Sequence, residues 1–301
     1  MAAMSGSSNS TAVDLSRLPP PDVVEQLSFE QIFDALVASM QIAMPGFDAT
    51  VESEPVVKLL QVFAYRELLI RQEFNDRARS VMVAFAAGAD LDHVAALVGV
   101  ARLELTPADP VAGTAAVLED DDALRQRVIL APESFSVAGP ELAYVFHARS
   151  ADADVLDASA TSPSPGSVVV TVLSRLGNGE ASAELLAKVE AIVNGREVRP
   201  LTDLVTVQSA DVVEFAILAK LYVYQGPDPT IVMAAAEASL QAYLAAARRL
   251  GRDVTISALY AALHVDGVQR VDLTSPGNLV LGATQAPWCT SVNLSFAVVG
   301  E

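Results

Sequence analysis

The chain has few of the residues on which bond chemistry or cross-linking depends. Among its 301 residues there is one cysteine, Cys289, one tryptophan, Trp288, and three histidines. A lone cysteine forms no internal disulfide, and no Cys/His set has metal-ligand spacing, so no metal or cofactor is expected. Basic residues are scarce too: 19 Lys and Arg stand against 37 Asp and Glu, a formal charge of -18. Such a chain repels phosphate, which argues against nucleic-acid binding and attraction to anionic lipid. Charged residues are only 19% of the total, too few for a disordered polyelectrolyte.

A long unbroken apolar run is also missing. The longest stretch without a charge, Leu273 to Gly300, is interrupted by Pro276, Gly277, Gly282 and Pro287. It reads as strands and turns, and no membrane span is expected. Met1 to Thr11 has no basic cluster followed by an apolar run, so synthesis is expected to end in the cytoplasm.

What the chain does have is aliphatic and small. Hydrophobic residues make up 52%, mean hydropathy is +0.38, and aromatics contribute only 6%. Acidity combined with apolarity suggests surface buried against other chains, since monomers seldom expose large apolar patches. At about 150 residues per domain, the length suggests two domains.

The expected fold class is α+β: an N-terminal helical region with a long amphipathic helix, followed by two small mixed α/β modules. Residues 1–28 read as a flexible tail and Pro-rich segment, 29–105 as a bundle-forming helical region and 106–136 as loop and connector. Residues 137–210 form the first α+β module and 211–301 the second. Phe29 to Ala43 has helical periodicity. Pro55 suits a first helical turn, and an amphipathic segment follows to about Ala87. Val56, Leu59, Leu60, Phe63, Ile70 and Phe74 line one face of it, flanked by Glu67/Arg71 and Glu73/Arg77 at i,i+4. This stripe needs a partner of similar length, either the chain's own hairpin or another subunit.

Further on, Ser167–Leu173 reads as a strand, Ser182 caps a helix ending at Gly195, and Leu201–Val207 is the next strand. Together they make a strand–helix–strand unit able to bring its strands parallel. A second such unit follows: an alternating strand from Val213 to Val223, a turn at Gly226-Pro227-Asp228-Pro229, an Ala-rich helix from about Ile231 to Leu250, a short helix that Ser257 can cap, running to Leu263, and a strand from Val268 to Leu273.

The search for chemistry finds little. The acidic run Glu119, Asp120, Asp121, Asp122 opens a helical segment, where negative charge is favourable. As an alternative it could serve an acidic hydrolase together with His147, but no second ligand group supports a metal. His93 and His264 sit on or beside short helices without a nucleophile motif. Gly-x-Ser-x-Gly, Walker A and Gly-x-Gly-x-x-Gly signatures are absent. Gly177-Asn178-Gly179 reads as a tight turn and Cys289 as a packed thiol. The chain is not expected to be an enzyme; a soluble binding module is the other alternative.

Collinear segments carry a resemblance. Asp14-Leu15-Ser16-Arg17-Leu18-Pro19, Glu52 to Gln61 and Ala64-Tyr65-Arg66-Glu67-Leu68 cover the N-terminal half. Ser136-Val137-Ala138-Gly139, His147 to Asp152, Thr161 to Pro165, Val198 to Asp203, Val207 to Ala210, Leu250 to Asp253 and Ala258 to Val265 cover the rest. Over roughly residues 13 to 290 the chain resembles the baseplate J-like family of P2-like contractile-tailed phages, also found in R-type pyocins. The resemblance implies a structural wedge component of a contractile injection tail, linking the central hub and spike to the sheath and transmitting the contraction trigger. Its implied partners are a protein I-like chain, a second copy of itself, a sheath-initiator-like baseplate protein and the hub or spike. It also implies assembly into the tail baseplate and release with the particle. On this basis the six-residue stripe becomes a candidate inter-subunit helix face, with no catalytic residues.

Overall fold

A computed structural model describes residues 28–49, 51, 54–136, 138–225 and 228–298. The expected N-terminal tail and the Gly226-Pro227 part of the predicted turn lie outside these residues. The described chain forms two compact units. One runs up to Ala101 and takes in Asp120–Val128; the other takes in Arg102–Glu119 and the chain from Ile129 onward.

In the first unit, α1 (Phe29–Ala43) starts at Ser28, whose side chain accepts from the Gln31 backbone N–H and so satisfies one orphan donor of the first turn. It packs against α2 (Pro55–Ser80), which opens on the proline as its sequence suggests. At 1.5 Å per residue α2 is about 39 Å long. It ends at Ser80, not near Ala87. Arg125, on α4 (Asp121–Leu130), donates to the carbonyls of Val83 (2.8 Å) and Ala86 (2.7 Å), holding the following segment in tight turns. A third helix, α3 (Gly88–Ala96), buries Leu91 and Ala95.

The second unit begins with the short antiparallel pair β1 (Glu104–Thr106) and β2 (Val117–Leu118). A 3-10 turn at Ala131–Phe135 leads to α5 (Glu141–Ala151). Next come β3 (Val155–Ser164), β4 (Ser167–Ser174), α6 (Ala183–Val193) and β5 (Leu204–Ser209). The sheet order is β3-β4-β5, with β4 and β5 parallel as the crossover through α6 permits. Tyr144, Val145 and Ala148 of α5 and Leu185, Val189 and Val193 of α6 close its core with Val170 and Val172.

The second sheet departs from the expected repeat of this unit. β6 (Asp211–Val223) leads to α7 (Pro229–Ala247) and α8 (Ile256–Leu263), and β7 (Val268–Ser275) then returns antiparallel to β6. With two helices in the connection, the chain comes back to the end at which β6 leaves, Val268 lying opposite Val223. β8 (Gln285–Val298) supplies the parallel neighbour, giving the order β7-β6-β8. α7 has the length and apolarity of a membrane-crossing helix. Its Val232, Ala236 and Leu240 pack on Phe215, Ile217 and Leu221 of β6, the role of a sheet-covering helix. Leu173, Ala210, Leu250 and Ala286 form a small core joining the two sheets, and Ser159 Oγ donates across it to the Ala283 carbonyl at 2.6 Å.

Candidate functional site

The six residues of the stripe do not share one environment. Leu60 is buried at 8% exposure on the α1 side of α2, together with Val57 and Ala64. Val56 is half-buried. Leu59, Phe63, Ile70 and Phe74 lie about a third of a turn further round the helix and are 51%, 52%, 59% and 59% exposed. The hairpin partner α1 therefore covers one side and leaves the other to solvent. Val62 and Tyr65 widen the exposed apolar surface. They fall outside the stripe, and no helical-periodicity argument selects them. The flanking pairs form as the spacing suggests: Arg71 to Glu67 at 2.6 Å and Arg77 to Glu73 at 2.5 Å, both at the surface.

The polar groups singled out by sequence are occupied within the fold. Glu119 accepts from the Leu103 N–H, and Asp120 from the Ala123 N–H. Asp121 accepts from the Gly88 N–H, and Asp122 from Arg125. These four carboxylates thus point to four separate partners. No group of three or more His, Cys, Asp or Glu is placed to hold a metal ion among the described residues. His147 stands edge-on to Phe146 at 5.4 Å, and burial pushes its imidazole below the ordinary value.

The Gly-rich turn is structural. Gly177 and Gly179 both have positive φ, Asp154 accepts from the Arg175 and Leu176 N–H groups, and Arg248 donates to the Gly177 carbonyl at 2.8 Å. The same Arg248 guanidinium lies 4.5 Å over the Trp288 ring. Cys289 is half-buried, and burial pushes its thiol upward, away from the reactive thiolate. Apart from these satisfied polar groups, α2 exposes a row of apolar side chains, Leu59, Phe63, Ile70 and Phe74.

Three family models match in chain order: the baseplate J-like N-terminal domain over residues 52–109, the central domain over 136–209 and the C-terminal domain over 215–295. The chain is 51% identical over 288 residues to baseplate protein J of Escherichia phage P2, covering 92% of this chain and 95% of that one. Among solved structures, it is similar to a chain of the anti-feeding prophage baseplate, at 17% identity and a TM-score of 0.40, covering 60% of this chain and 47% of that one. With three domains in order and near full-length identity to one relative, the chain belongs to the baseplate J-like family and is a structural protein of a phage-type tail baseplate.

Proposed function

We propose that this chain is a wedge component of a contractile injection tail. In this reading it links the central hub and spike to the sheath and passes the contraction trigger between them. Its partners are a protein I-like chain, a second copy of itself, a sheath-initiator-like protein and the hub or spike. It is made in the bacterial cytoplasm, assembled into the baseplate and released with the particle, and both a phage and an R-type pyocin are compatible with these residues. The observation that carries the reading is the exposed face of α2, with Leu59, Phe63, Ile70 and Phe74 open along a helix that α1 covers on one side only. Apolar surface of this length is suited to a bundle with helices of other chains. Transmission then consists of repacking interfaces between two arrangements, and no bond chemistry is assigned to any residue.

Deleting the gene tests this directly. Negative-stain images of the lysate are expected to show tubes and sheath parts but no baseplated tails. Normal tails from the deletion strain would refute the proposal.

A further inference from the structure

In chain order, every strand of the first sheet (β3-β4-β5) precedes Ala210 and every strand of the second (β7-β6-β8) follows it. β5 ends at Ser209, and β6 begins at Asp211. The Ala210 N–H donates to the Val172 carbonyl of β4 at 2.9 Å, and the Asp211 N–H to the Thr284 carbonyl just before β8 at 3.0 Å. Two successive amides are thus tied to different sheets, which makes Ala210 a pivot about which one sheet can turn against the other.

The contact around that pivot is small and largely polar. Leu173, Ala210, Leu250 and Ala286 form a far smaller core than the one beneath each sheet. Besides the Ser159 bond to Ala283, the Leu250 N–H donates across the junction to Asp157 Oδ2 at 3.0 Å. Arg248, just past the end of α7, completes the contact. Its guanidinium lies over Trp288 of β8, and Nη2 reaches across to the carbonyls of Gly177 at 2.8 Å and Ser174 at 3.4 Å. The receiving turn is braced from its own side. Asp154 accepts from Ser174 Oγ and from the Arg175 and Leu176 N–H groups, and a Cβ on Gly179 would lie 2.6 Å from Leu173 Cδ1. One donor in the closed contact is left over. Arg248 Nε is shielded from solvent and meets no acceptor among the described residues, a cost that hydration removes when the sheets part.

We propose that the two sheets form a latched hinge, with Ala210 as pivot and Arg248 as latch. In the closed state Arg248 bridges Trp288 and the Gly177 turn. In a minor open state the junction is wet, Arg248 is hydrated and the Trp288 ring is uncovered. Each sheet keeps its own core with its helices, so the opening is sub-global. The device lies within one chain, and it goes beyond the wedge reading without resting on it.

Two readouts on the full chain alone test the hinge, each paired with a substitution on the other side of the junction. Native-state hydrogen exchange is expected to show the Leu250 amide opening more readily than amides of the central strands β4 and β6. Arg248→Ala should speed Leu250 exchange about tenfold or more relative to those strands. Arg249→Ala removes the same charge from the next position and should not. Trp288 is the sole tryptophan, so its fluorescence reports the junction. Asp157→Ala leaves Arg248 in place but removes the acceptor of the Leu250 N–H, and should increase acrylamide quenching of Trp288 and shift its emission to the red.

Leu250 exchange in Arg248→Ala that stays at the parent's rate, or that rises only in step with β4 and β6, would overturn the proposal; the second result reports global loss of stability instead of a hinge. So would equal effects of the two arginine variants, or Trp288 quenching unchanged in Asp157→Ala. No other chain takes part in either measurement, so failure of the hinge is distinguishable from failure of the proposed function.

Discussion

Gly139 shows how a missing side chain can hold a module together. Its φ is +72°, and a Cβ there would lie 2.6 Å from Pro200 Cγ and 3.0 Å from Asp203 Oδ2. The close approach lets the Tyr144 hydroxyl donate to Asp203 at 2.9 Å, and burial together with that carboxylate pushes the phenol well above its ordinary range. Gly139→Ala brings both backbone strain and a clash, and is expected to cost about 1–3 kcal/mol in urea unfolding. Tyr144→Phe removes one hydrogen bond and should cost about 1 kcal/mol. A pH response resides nearby in Asp152. Burial pulls its pKa upward, but the Asp154 N–H and Lys188 Nζ, both at 2.9 Å, outweigh that and hold the carboxyl below 3.8. A lowered folded-state pKa contributes stability above the unfolded value that is lost as pH falls through the folded one. Melting temperature should therefore drop on acidification from about pH 5 to about pH 3. Lys188→Ala is expected to flatten that part of the profile by slightly lowering its neutral-pH end, the small effect that befits an exposed pair, and to leave the acid end unchanged.

At the scale of elements, α2 yields the most direct prediction, because two neighbouring leucines differ in what surrounds them. Leu60→Asp buries a charge against α1 and should lower the stability of the isolated chain by about 3 kcal/mol or more. Leu59→Asp/Phe63→Asp alters exposed positions. It should leave melting of the lone chain unchanged while abolishing co-purification with the neighbouring baseplate protein. Unfolding by the second variant would show that its face is internal. Sequence merged these two environments into one stripe, because apolar residues facing a partner chain have the same period as those facing a hairpin mate. Helix starts were legible where a local rule sets them, at Pro55 and Ser182. The end of α2 was not, since Arg125, some forty residues on, holds the segment after it through the carbonyls of Val83 and Ala86. β4 was legible from its β-branched run. Its neighbour β3 was not, because it buries small residues, Ala158, Ser159 and Ala160, that carry no strand signature until β4 pairs with them. The antiparallel return of β7 was hidden although both helices before it were legible, because strand periodicity is the same in either direction.

For the molecule as a whole, the shortage of basic residues and the surplus of apolar ones have separate consequences. Among the described residues, the exposed face of α2 is one place where the apolar surplus reaches solvent. The charge of -18 favours solubility of a free subunit, and under the proposed function it is expected to meet basic patches on at least one partner. Association with such a partner is steered at long range and held at short range, and salt acts on the first alone. Raising ionic strength from about 0.05 M to 0.5 M shortens the Debye length from above 10 Å to a few ångströms. Binding of the full chain to the co-expressed neighbouring baseplate protein, followed by stopped flow, is therefore expected to show an on-rate falling about tenfold or more across that range, with the off-rate nearly constant. The opposite result, a constant on-rate with a rising off-rate, would place the carboxylates inside the contact, and the apolar faces would then have to be covered by something other than that partner.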